Sequence, residues 1–471
     1  MLLIRFIFYL SCAAALCAPL ISCRASKDSA PIEPASPVPE AHATEPSPLS
    51  TTLEADQPGA RAPTGLALFV ERLRKLEAGD PSAQDLQVLH IGDSHVASDL
   101  IGQELRRLFQ ERFGDGGRGY IFAGRPWRRY RQAGVEYAMQ GDWERHNARG
   151  DTPGPFGAGG VRLTSSMEGA AVTRQVPEGA EPFDRVDVTV LTQPRGGQLR
   201  IVVDGVLQGV VPTADEATQL QVHRLEAPGR MLRLEVLGDG PVTLLGTRTA
   251  KKRSGVIVSS VGLNGAQFET FLRVDQERAV EDLRHMGPDL VIVTLGTNEA
   301  YNLRKEALGD IPPETEGDIR RFAESFLGRI QRAAPDAACV VMLPMDFAYR
   351  PSRRACRDAR KENPEFLCDW HTTPSLGLVT RAVRDAADAR GCSPWDAREA
   401  MGGEGAVLRW AAREPALAAR DSVHLTRLGY AWIAERLYAD LVSLLELPRV
   451  EDTTRVSTTL VAVPETFGVE E

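Results

Sequence analysis

The stretch LQVLHIGDSHVASD, residues 86–99, decides the fold. Leu86 to Ile91 form a short, largely apolar run, and a Gly-Asp-Ser turn ending at Ser94 follows. From Ala97 to Phe113 apolar residues recur at helical spacing. The stretch therefore predicts a buried strand, a tight turn that carries Ser94, and a helix.

The same alternation recurs further along the chain. Short apolar runs at residues 256–261, 290–295 and 339–343 are each followed by a helical pattern, and a last helix is predicted over residues 427–445. Strands that alternate with helices favour a parallel sheet covered on both faces. We therefore expect a three-layer α/β domain.

The segment between these α/β parts has a different texture. Over residues 126–250 apolar residues alternate with period 2, and Gly and Pro punctuate the runs. This pattern predicts an all-β sandwich module inserted into the α/β domain. The domain itself then comprises residues 65–125 and residues 251–446.

The N-terminal part predicts export. Residues 1–22 contain an apolar stretch that is too short to span a membrane and is typical of a signal peptide. Cys23 follows in a lipobox-like sequence, which predicts a lipid anchor at this cysteine; an ordinary signal peptide is the alternative. Because Arg24 follows, a Gram-negative cell would carry the anchor on the periplasmic face of its outer membrane. Residues 23–64 then predict a Pro- and Ala-rich linker, and residues 447–471 a flexible tail.

Composition limits the partners. The formal net charge is -9 and no basic tract is present, so nucleic acid is not an expected ligand. Four cysteines, Cys339, Cys356, Cys368 and Cys392, remain beyond Cys23, and an even number in an exported protein favours disulfides. Of the three pairings we favour Cys356 with Cys368 and Cys339 with Cys392. A metal site of Cys356, Cys368 and His371 is the disfavoured alternative, because its spacing fits no zinc pattern.

Four short motifs supply the groups that an activated serine requires: a base, a group that orients the base, and donors for an oxyanion. Read singly, each is also ordinary turn or helix-cap chemistry. The first three follow successive predicted strands, and in the fourth three residues separate a carboxylate from an imidazole. The motifs are Gly92-Asp93-Ser94, Gly262-Leu263-Asn264-Gly265, Gly296-Thr297-Asn298-Glu299 and Asp421-Ser422-Val423-His424.

Together these motifs resemble the SGNH/GDSL hydrolase superfamily over about residues 84–125 and 255–446. The resemblance implies a flavodoxin-like sheet and a serine esterase that uses neither metal nor cofactor. It also implies roles for five residues. Ser94 would be the nucleophile, His424 the base and Asp421 its orienting carboxylate, with Ser94, Gly262 and Asn298 forming the oxyanion hole.

Within the superfamily, the sequence resembles the bacterial peptidoglycan O-acetylesterases in three features. These are Gly-Asp-Ser-His followed by Val-Ala-Ser-Asp at residues 92–99, the Gly-Leu-Asn-Gly-Ala form of the second motif at residues 262–266, and the inserted module. The sequence departs from the superfamily's usual leucine after the serine, since it has His95. The resemblance implies hydrolysis of O-acetyl esters on a cell-envelope glycan. Further substrate-contact candidates are Asp93, His95, Trp127 and Arg129.

Two other classes of function stay open. The same residues could serve a general carboxylesterase or lipase, or an acetyltransferase that passes the acyl group to a sugar. Alternatively, the protein could be an inactive glycan-binding lipoprotein, although the intact serine, histidine and carboxylate argue against this. The sequence predicts neither the acyl length nor the oligomeric state.

Overall fold

The computed structural model describes residues 65–150, 154–303, 312, 314–362, 368–372 and 374–446. The predicted signal peptide, Cys23, the linker and the C-terminal tail lie outside the described residues. In the described part, no helix has the length and apolar character needed to cross a membrane.

The secondary structure follows the predicted order. The first α/β part comprises α1 (Gly65–Glu77), β1 (Leu86–Gly92), α2 (Ser94–Ala97), α3 (Leu100–Phe113) and β2 (Asp115–Gly117). The β module comprises β3 (Gly119–Phe122), β4 (Glu136–Gln140), β5 (Glu144–Asn147), β6 (Val161–Ser165), β7 (Ala171–Gln175), β8 (Phe183–Leu191), β9 (Gln198–Val203), β10 (Val206–Pro212), β11 (Leu220–Gly229), β12 (Met231–Val236) and β13 (Val242–Ala250).

The second α/β part returns to alternating strands and helices. It comprises β14 (Val256–Gly262), α4 (Phe268–Leu272), α5 (Gln276–Met286), β15 (Leu290–Thr294), α6 (Thr297–Leu303), α7 (Glu314–Ala333), β16 (Ala338–Met342), α8 (Arg353–Glu362), α9 (Pro374–Ala389), β17 (Ser393–Trp395), α10 (Ala397–Ala400), α11 (Ala406–Ala411) and α12 (Arg427–Ser443), which a 3-10 turn (Leu444–Glu446) extends.

The central sheet is parallel, in the order β17-β16-β15-β1-β14-β2. All seven residues of β1 are buried, and its alternate side chains enter two different cores. Leu89 and Ile91 join the core under α7 and α9, whereas Leu86 and Val88 join the core under α3 and α12. A strand buried on both faces is typical of such a sheet, and the predicted three-layer fold is confirmed.

The β module is a sandwich of antiparallel sheets. One sheet has the order β10-β9-β12-β7-β4 and the other β11-β8-β13-β6-β5, with β3 pairing with β13. Alternate residues of both sheets point inward into one apolar core, for example Val188 of β8 and Ile201 of β9. The module also shares a core with the α/β domain through Tyr120 and Phe122. The predicted inserted β module is therefore present and packs directly against the parallel sheet. Its β3 (Gly119–Phe122) lies before residue 126, where the sequence predicted the module to begin, and belongs to it by pairing with β13.

The helix predicted over residues 97–113 is interrupted. Asp99 has a φ of 58° and separates α2 from α3. This left-handed conformation is unusual for a residue other than glycine, and buried hydrogen bonds hold it. The Asp99 carboxylate accepts from Arg106 at 3.2 Å, from Arg118 at 2.9 Å and from the backbone of Ala133 at 2.8 Å. Asp99 thereby ties the segment after Ser94 to the start of the β module.

The cysteines pair as favoured from the sequence. Cys339 is bonded to Cys392, which joins β16 to the residue before β17, and Cys356 is bonded to Cys368. Both cysteines of the alternative metal site are therefore disulfide-bonded, and neither offers a thiolate. Within the described ranges, no group of three or more His, Cys, Asp or Glu side chains is arranged to hold a metal.

Candidate active site

Ser94, His424 and Asp421 lie together at the C-terminal edge of the parallel sheet. The Ser94 Oγ is 2.9 Å from His424 Nε2, and His424 Nδ1 is 2.7 Å from Asp421 Oδ2. The three side chains thus form one continuous chain of hydrogen bonds, from a hydroxyl through an imidazole to a carboxylate. This is the order in which a serine is activated by a general base.

The carboxylate of Asp421 is set up to stay ionised. Its Oδ1 accepts hydrogen bonds from the backbone N–H groups of Val423 and His424, at 3.0 and 2.9 Å, which leaves Oδ2 for the imidazole. Burial raises the pKa of Asp421, but the hydrogen bonds from the His424 side chain and from these backbone groups outweigh it, so the pKa lies below its ordinary value. An ionised Asp421 holds the proton of His424 on Nδ1 and leaves Nε2 free to accept one from Ser94.

The loop that carries Asp421 and His424 is fixed by its own backbone. The Ala419 N–H donates to the His424 carbonyl at 2.8 Å, and the Ala348 N–H donates to the Ser422 carbonyl at 2.9 Å. Thr426 then caps α12 by accepting the Gly429 N–H. The base is thereby held between the segment that follows β16 and the start of α12.

Close backbone packing positions Ser94. Gly92 and Gly262 are paired across β1 and β14, and α2, which begins at Ser94, lies directly against them. A Cβ on Gly262 would overlap the backbone of Ala97, and one on Gly92 would overlap the Thr294 carbonyl. Glycine at the end of each strand therefore lets the turn approach the sheet edge.

Gly262→Ala is expected to displace α2 and to lower both stability and turnover. Overpacking of this kind costs roughly 1–3 kcal/mol of unfolding free energy, and here the overlapped atoms are backbone, which cannot rotate away. Chemical denaturation and ester hydrolysis would be measured beside Gly209→Ala, whose new Cβ meets nothing within 4 Å. Equal effects of the two substitutions would contradict the packing argument.

The Asn298 side chain contacts Asp93, the residue before Ser94, and both of its N–H groups are already engaged. Its side-chain nitrogen donates to Asp93 Oδ2 at 3.1 Å and to the Ala266 carbonyl at 3.0 Å. A carboxamide has two N–H groups, so both are used within the protein. The structure therefore brings the third motif into contact with the first, and the Asn298 side chain can donate to a further acceptor only when one of these bonds is exchanged. Its role in an oxyanion hole stays a prediction.

Two buried carboxyl groups support this network. Asp93 accepts the His95 N–H at 3.0 Å as well as Asn298, and Glu299 accepts the Phe268 N–H at 2.8 Å. Burial raises the pKa of Asp93 to about 8 and that of Glu299 to about 7. Asp93 thereby joins the first motif to the third, and Glu299 joins the third motif to the start of α4.

Glu299→Gln is expected to become more stable relative to the wild type as the pH rises. The pKa of Glu299 is raised from 4.5 to about 7 in the folded protein, so the wild type loses stability between these pH values and the glutamine variant does not. The difference in unfolding free energy should shift toward the variant by roughly 3 kcal/mol across this window. Urea unfolding below and above the window would measure it, with the exposed Glu111→Gln as control. A difference that does not change with pH would show that Glu299 does not titrate there.

The sequence predicted that Asp93 and His95 contact substrate. The structure contradicts this prediction, because both side chains are fully buried. The His95 Nδ1 is 2.9 Å from the hydroxyl of Tyr430 on α12, and its ring packs 5.3 Å from that of His424. Burial lowers the pKa of His95 to about 3, so the imidazole is neutral. His95 therefore packs behind the base, and the predicted contact with substrate is corrected to a packing contact with His424 and Tyr430.

Trp127 and Arg129 lie on the β-module side. Trp127 is half-buried, and its ring contacts Phe122 and Tyr130 edge-to-face, at centroid distances of 6.3 and 5.1 Å. Arg129 is exposed. The contacts of Trp127 are those of a core residue at the domain junction, so its predicted role in binding substrate stays a proposal without a supporting contact.

Sequence reasoning missed Glu299 and Tyr430. Glu299 follows Asn298 directly, and its place in the third motif was a signal that could have been used. Tyr430 lies six residues beyond His424, and no local pattern relates it to His95. Its contact depends on how α12 packs against the start of α2.

The sheet order and the layers are those that the resemblance to the SGNH/GDSL hydrolases implies, and a serine, a histidine and an aspartate are hydrogen-bonded to one another at the predicted place. Among solved structures the chain is similar to a peptidoglycan O-acetylesterase, with a TM-score of 0.65 and 24% sequence identity over 80% of this chain and 96% of that chain. The predicted likeness in fold is confirmed.

Other solved structures are similar over less of the fold. An acetylxylan esterase from Geobacillus stearothermophilus is 17% identical over 40% of this chain and 73% of that chain, with a TM-score of 0.27. A salicylyl-acyltransferase from a tetracycline biosynthetic pathway is 12% identical over 70% of this chain and 98% of that chain, with a TM-score of 0.30. No protein-family model matches the chain, and no curated protein matches it by sequence.

Proposed function

We propose that this protein is an exported serine esterase that hydrolyses O-acetyl esters on a cell-envelope glycan, with peptidoglycan as the first candidate. The observation that carries the proposal is the chain of hydrogen bonds from Ser94 through His424 to Asp421, at 2.9 and 2.7 Å. The fold shared with a peptidoglycan O-acetylesterase supports it. Export and a lipid anchor at Cys23 remain part of the proposal and rest on the N-terminal sequence.

In the proposed reaction Ser94 Oγ attacks the acetyl carbonyl while His424 Nε2 takes its proton. Asp421 stabilises the imidazolium that forms. The tetrahedral intermediate collapses, the sugar oxygen leaves with the proton from Nε2, and an acetyl-serine remains. Water then attacks this ester with His424 again as base, which releases acetate and restores Ser94.

The negative charge of each intermediate would be met by N–H groups around Ser94. We assign this role to the backbone N–H groups of Ser94 and Gly262 and to the side chain of Asn298. Because Asn298 already donates to Asp93 and to Ala266, the oxyanion would replace one of these acceptors. An oxyanion carries more negative charge than the Ala266 carbonyl and forms a stronger hydrogen bond. The bond from Asn298 to Ala266 is therefore the one that we expect to be exchanged.

The test is release of acetate from O-acetylated peptidoglycan. The wild-type protein is expected to release acetate and to show no net transfer of acetyl groups to chemically de-acetylated peptidoglycan. Transfer in place of release would make the protein an acetyltransferase on the same residues. Release from soluble esters but from no O-acetylated glycan would make it a general carboxylesterase, and failure of Ser94 to react with a fluorophosphonate probe would support a binding protein instead.

A further inference from the structure

A polar cleft lies far from Ser94, between the β module and the N-terminal edge of the parallel sheet. It consists of two adjoining cavities of about 370 and 460 Å³, which share Arg185, Arg224 and Arg248. Gln87, near the start of β1, lines the larger cavity. At about 3.3 Å per residue along a strand, roughly 20 Å separates Gln87 from Ser94. The cleft is therefore distinct from the candidate active site.

The cleft collects positive charge on a protein whose net charge is -9. Its basic side chains outnumber its carboxylates. The basic residues are Arg185, Arg224, Arg248, Lys252 and Arg284, and the acidic ones are Asp85, Asp187 and Glu226.

The carboxylates that line the cleft neutralise its arginines only in part. Asp85 is bound by Arg185 at 2.7 Å. Asp187, by contrast, stands 3.6 Å from Arg224 and 3.8 Å from Arg248, which is longer than the roughly 2.7–2.9 Å of a charge-assisted hydrogen bond. Arg224 and Arg248 are thus held near a carboxylate without being saturated by it.

Two buried donors in the cleft have no partner in the described part of the chain. Gln87 is 8% exposed, and its Nε2 makes no hydrogen bond. The Nε of Arg248 is likewise buried and unpaired. Buried polar groups are almost always hydrogen-bonded, so each exception needs an explanation. Both exceptions are nitrogen atoms that donate, and both belong to residues that line the same cleft, so the missing partner is an acceptor.

We propose that this cleft binds a carboxylate-bearing sugar unit of the envelope glycan, with Arg224, Arg248 and Gln87 as donors to the carboxylate. The identity of the polymer rests on the proposed function. The cavity volumes are those of a small-ligand site, and guanidinium groups match the planar, two-oxygen geometry of a carboxylate. A second contact remote from Ser94 would hold the protein on its polymer between turnovers.

Calorimetric titration of the whole protein with N-acetylmuramic acid tests this proposal. N-acetylglucosamine, which lacks the carboxylate, and inorganic phosphate are the comparison ligands. We expect the sugar acid to bind at least tenfold more tightly than either, and Ser94→Ala to leave its binding unchanged. Equal binding of the neutral sugar, or tighter binding of phosphate, would overturn the carboxylate assignment.

A matched pair of double variants separates the cleft from general charge effects. Arg224 and Arg284 are exposed, so R224Q/R284Q should fold normally and weaken the binding of N-acetylmuramic acid at least tenfold. The double variant R195Q/R273Q removes the same charge from exposed positions outside the cleft and should bind as the wild type does. Equal losses in both would overturn the proposal.

Turnover separates this proposal from the proposed function. Hydrolysis of a small soluble acetyl ester should be the same in R224Q/R284Q as in the wild type. If no ester is hydrolysed but the sugar acid still binds, the proposed function fails and the cleft stands. If the ester is hydrolysed and the sugar acid does not bind, the cleft proposal fails alone.

Discussion

Ser94→Ala is expected to lower ester turnover by roughly 10⁴-fold or more, since loss of the nucleophile removes the covalent route altogether. The hydroxyl also makes the hydrogen bond to His424 Nε2 at 2.9 Å, but Ser94 is only half-buried, so the folded structure should survive. Rates of acetate release and the midpoint of thermal unfolding would be measured on the same preparation. We expect the rate to collapse and the midpoint to shift by no more than a few degrees.

Ser98→Ala is the matched control. Ser98 lies four residues further along the same segment, is exposed, and donates to the His95 carbonyl at 3.0 Å. Its hydroxyl does not contact His424, so its removal should leave turnover within about twofold of the wild type. Substantial turnover in Ser94→Ala, or a comparable loss in Ser98→Ala, would remove Ser94 from the role of nucleophile.

The parallel sheet and its order along the chain were predictable because hydrophobic periodicity is a local property. The runs that end at Gly92, Gly262 and Thr294 are short and apolar, and helical spacing follows each of them. In a parallel sheet the ends of successive strands meet at one edge. The neighbourhood of Ser94, Gly262 and Asn298 therefore follows from topology, before any distance is known.

The contacts that cross between distant segments were not predictable. The left-handed Asp99 is held by Arg118 and by the backbone of Ala133, and a propensity argument over residues 97–113 contains neither. The pairing of Asn298 with Asp93 and Ala266 depends on how three segments that are distant in the sequence pack against one another. Side-chain type alone indicated a donor at Asn298; only the packed structure shows that both of its N–H groups are engaged.

Burial explains the remaining differences. His95 and Asp93 have side chains that a sequence argument assigns to ligand contact, because imidazole and carboxylate are common there. In the fold they point behind the nucleophile and are fully buried. The packing of α12 determines which side chains of the turn at residues 92–95 point outward, since the Tyr430 hydroxyl on α12 is 2.9 Å from His95 Nδ1. This contact joins residues that are far apart in the chain, so a local sequence pattern does not predict it.

Asp421→Asn is expected to lower turnover by roughly 10⁴-fold while the fold is kept, as loss of the orienting carboxylate does in serine proteases. The hydrogen bonds of Asp421 indicate how the substitution would act on His424. Asp421 Oδ1 accepts the backbone N–H groups of Val423 and His424, so the single carboxamide oxygen of the asparagine should take this place. Its NH₂ group would then face His424 Nδ1 and donate to it. The imidazole would be forced to carry its proton on Nε2, where it cannot accept the proton of Ser94.

The tautomer is the decisive measurement. Nitrogen NMR of His424 should show a protonated Nδ1 in the neutral wild type and a protonated Nε2 in Asp421→Asn, in parallel with the loss of acetate release. Asp388→Asn removes the same charge from an exposed position on α9 and should change neither the tautomer nor the rate. Full loss of turnover with an unchanged tautomer would mean that Asp421 acts through its charge on the imidazolium, and unchanged turnover would exclude it from the reaction.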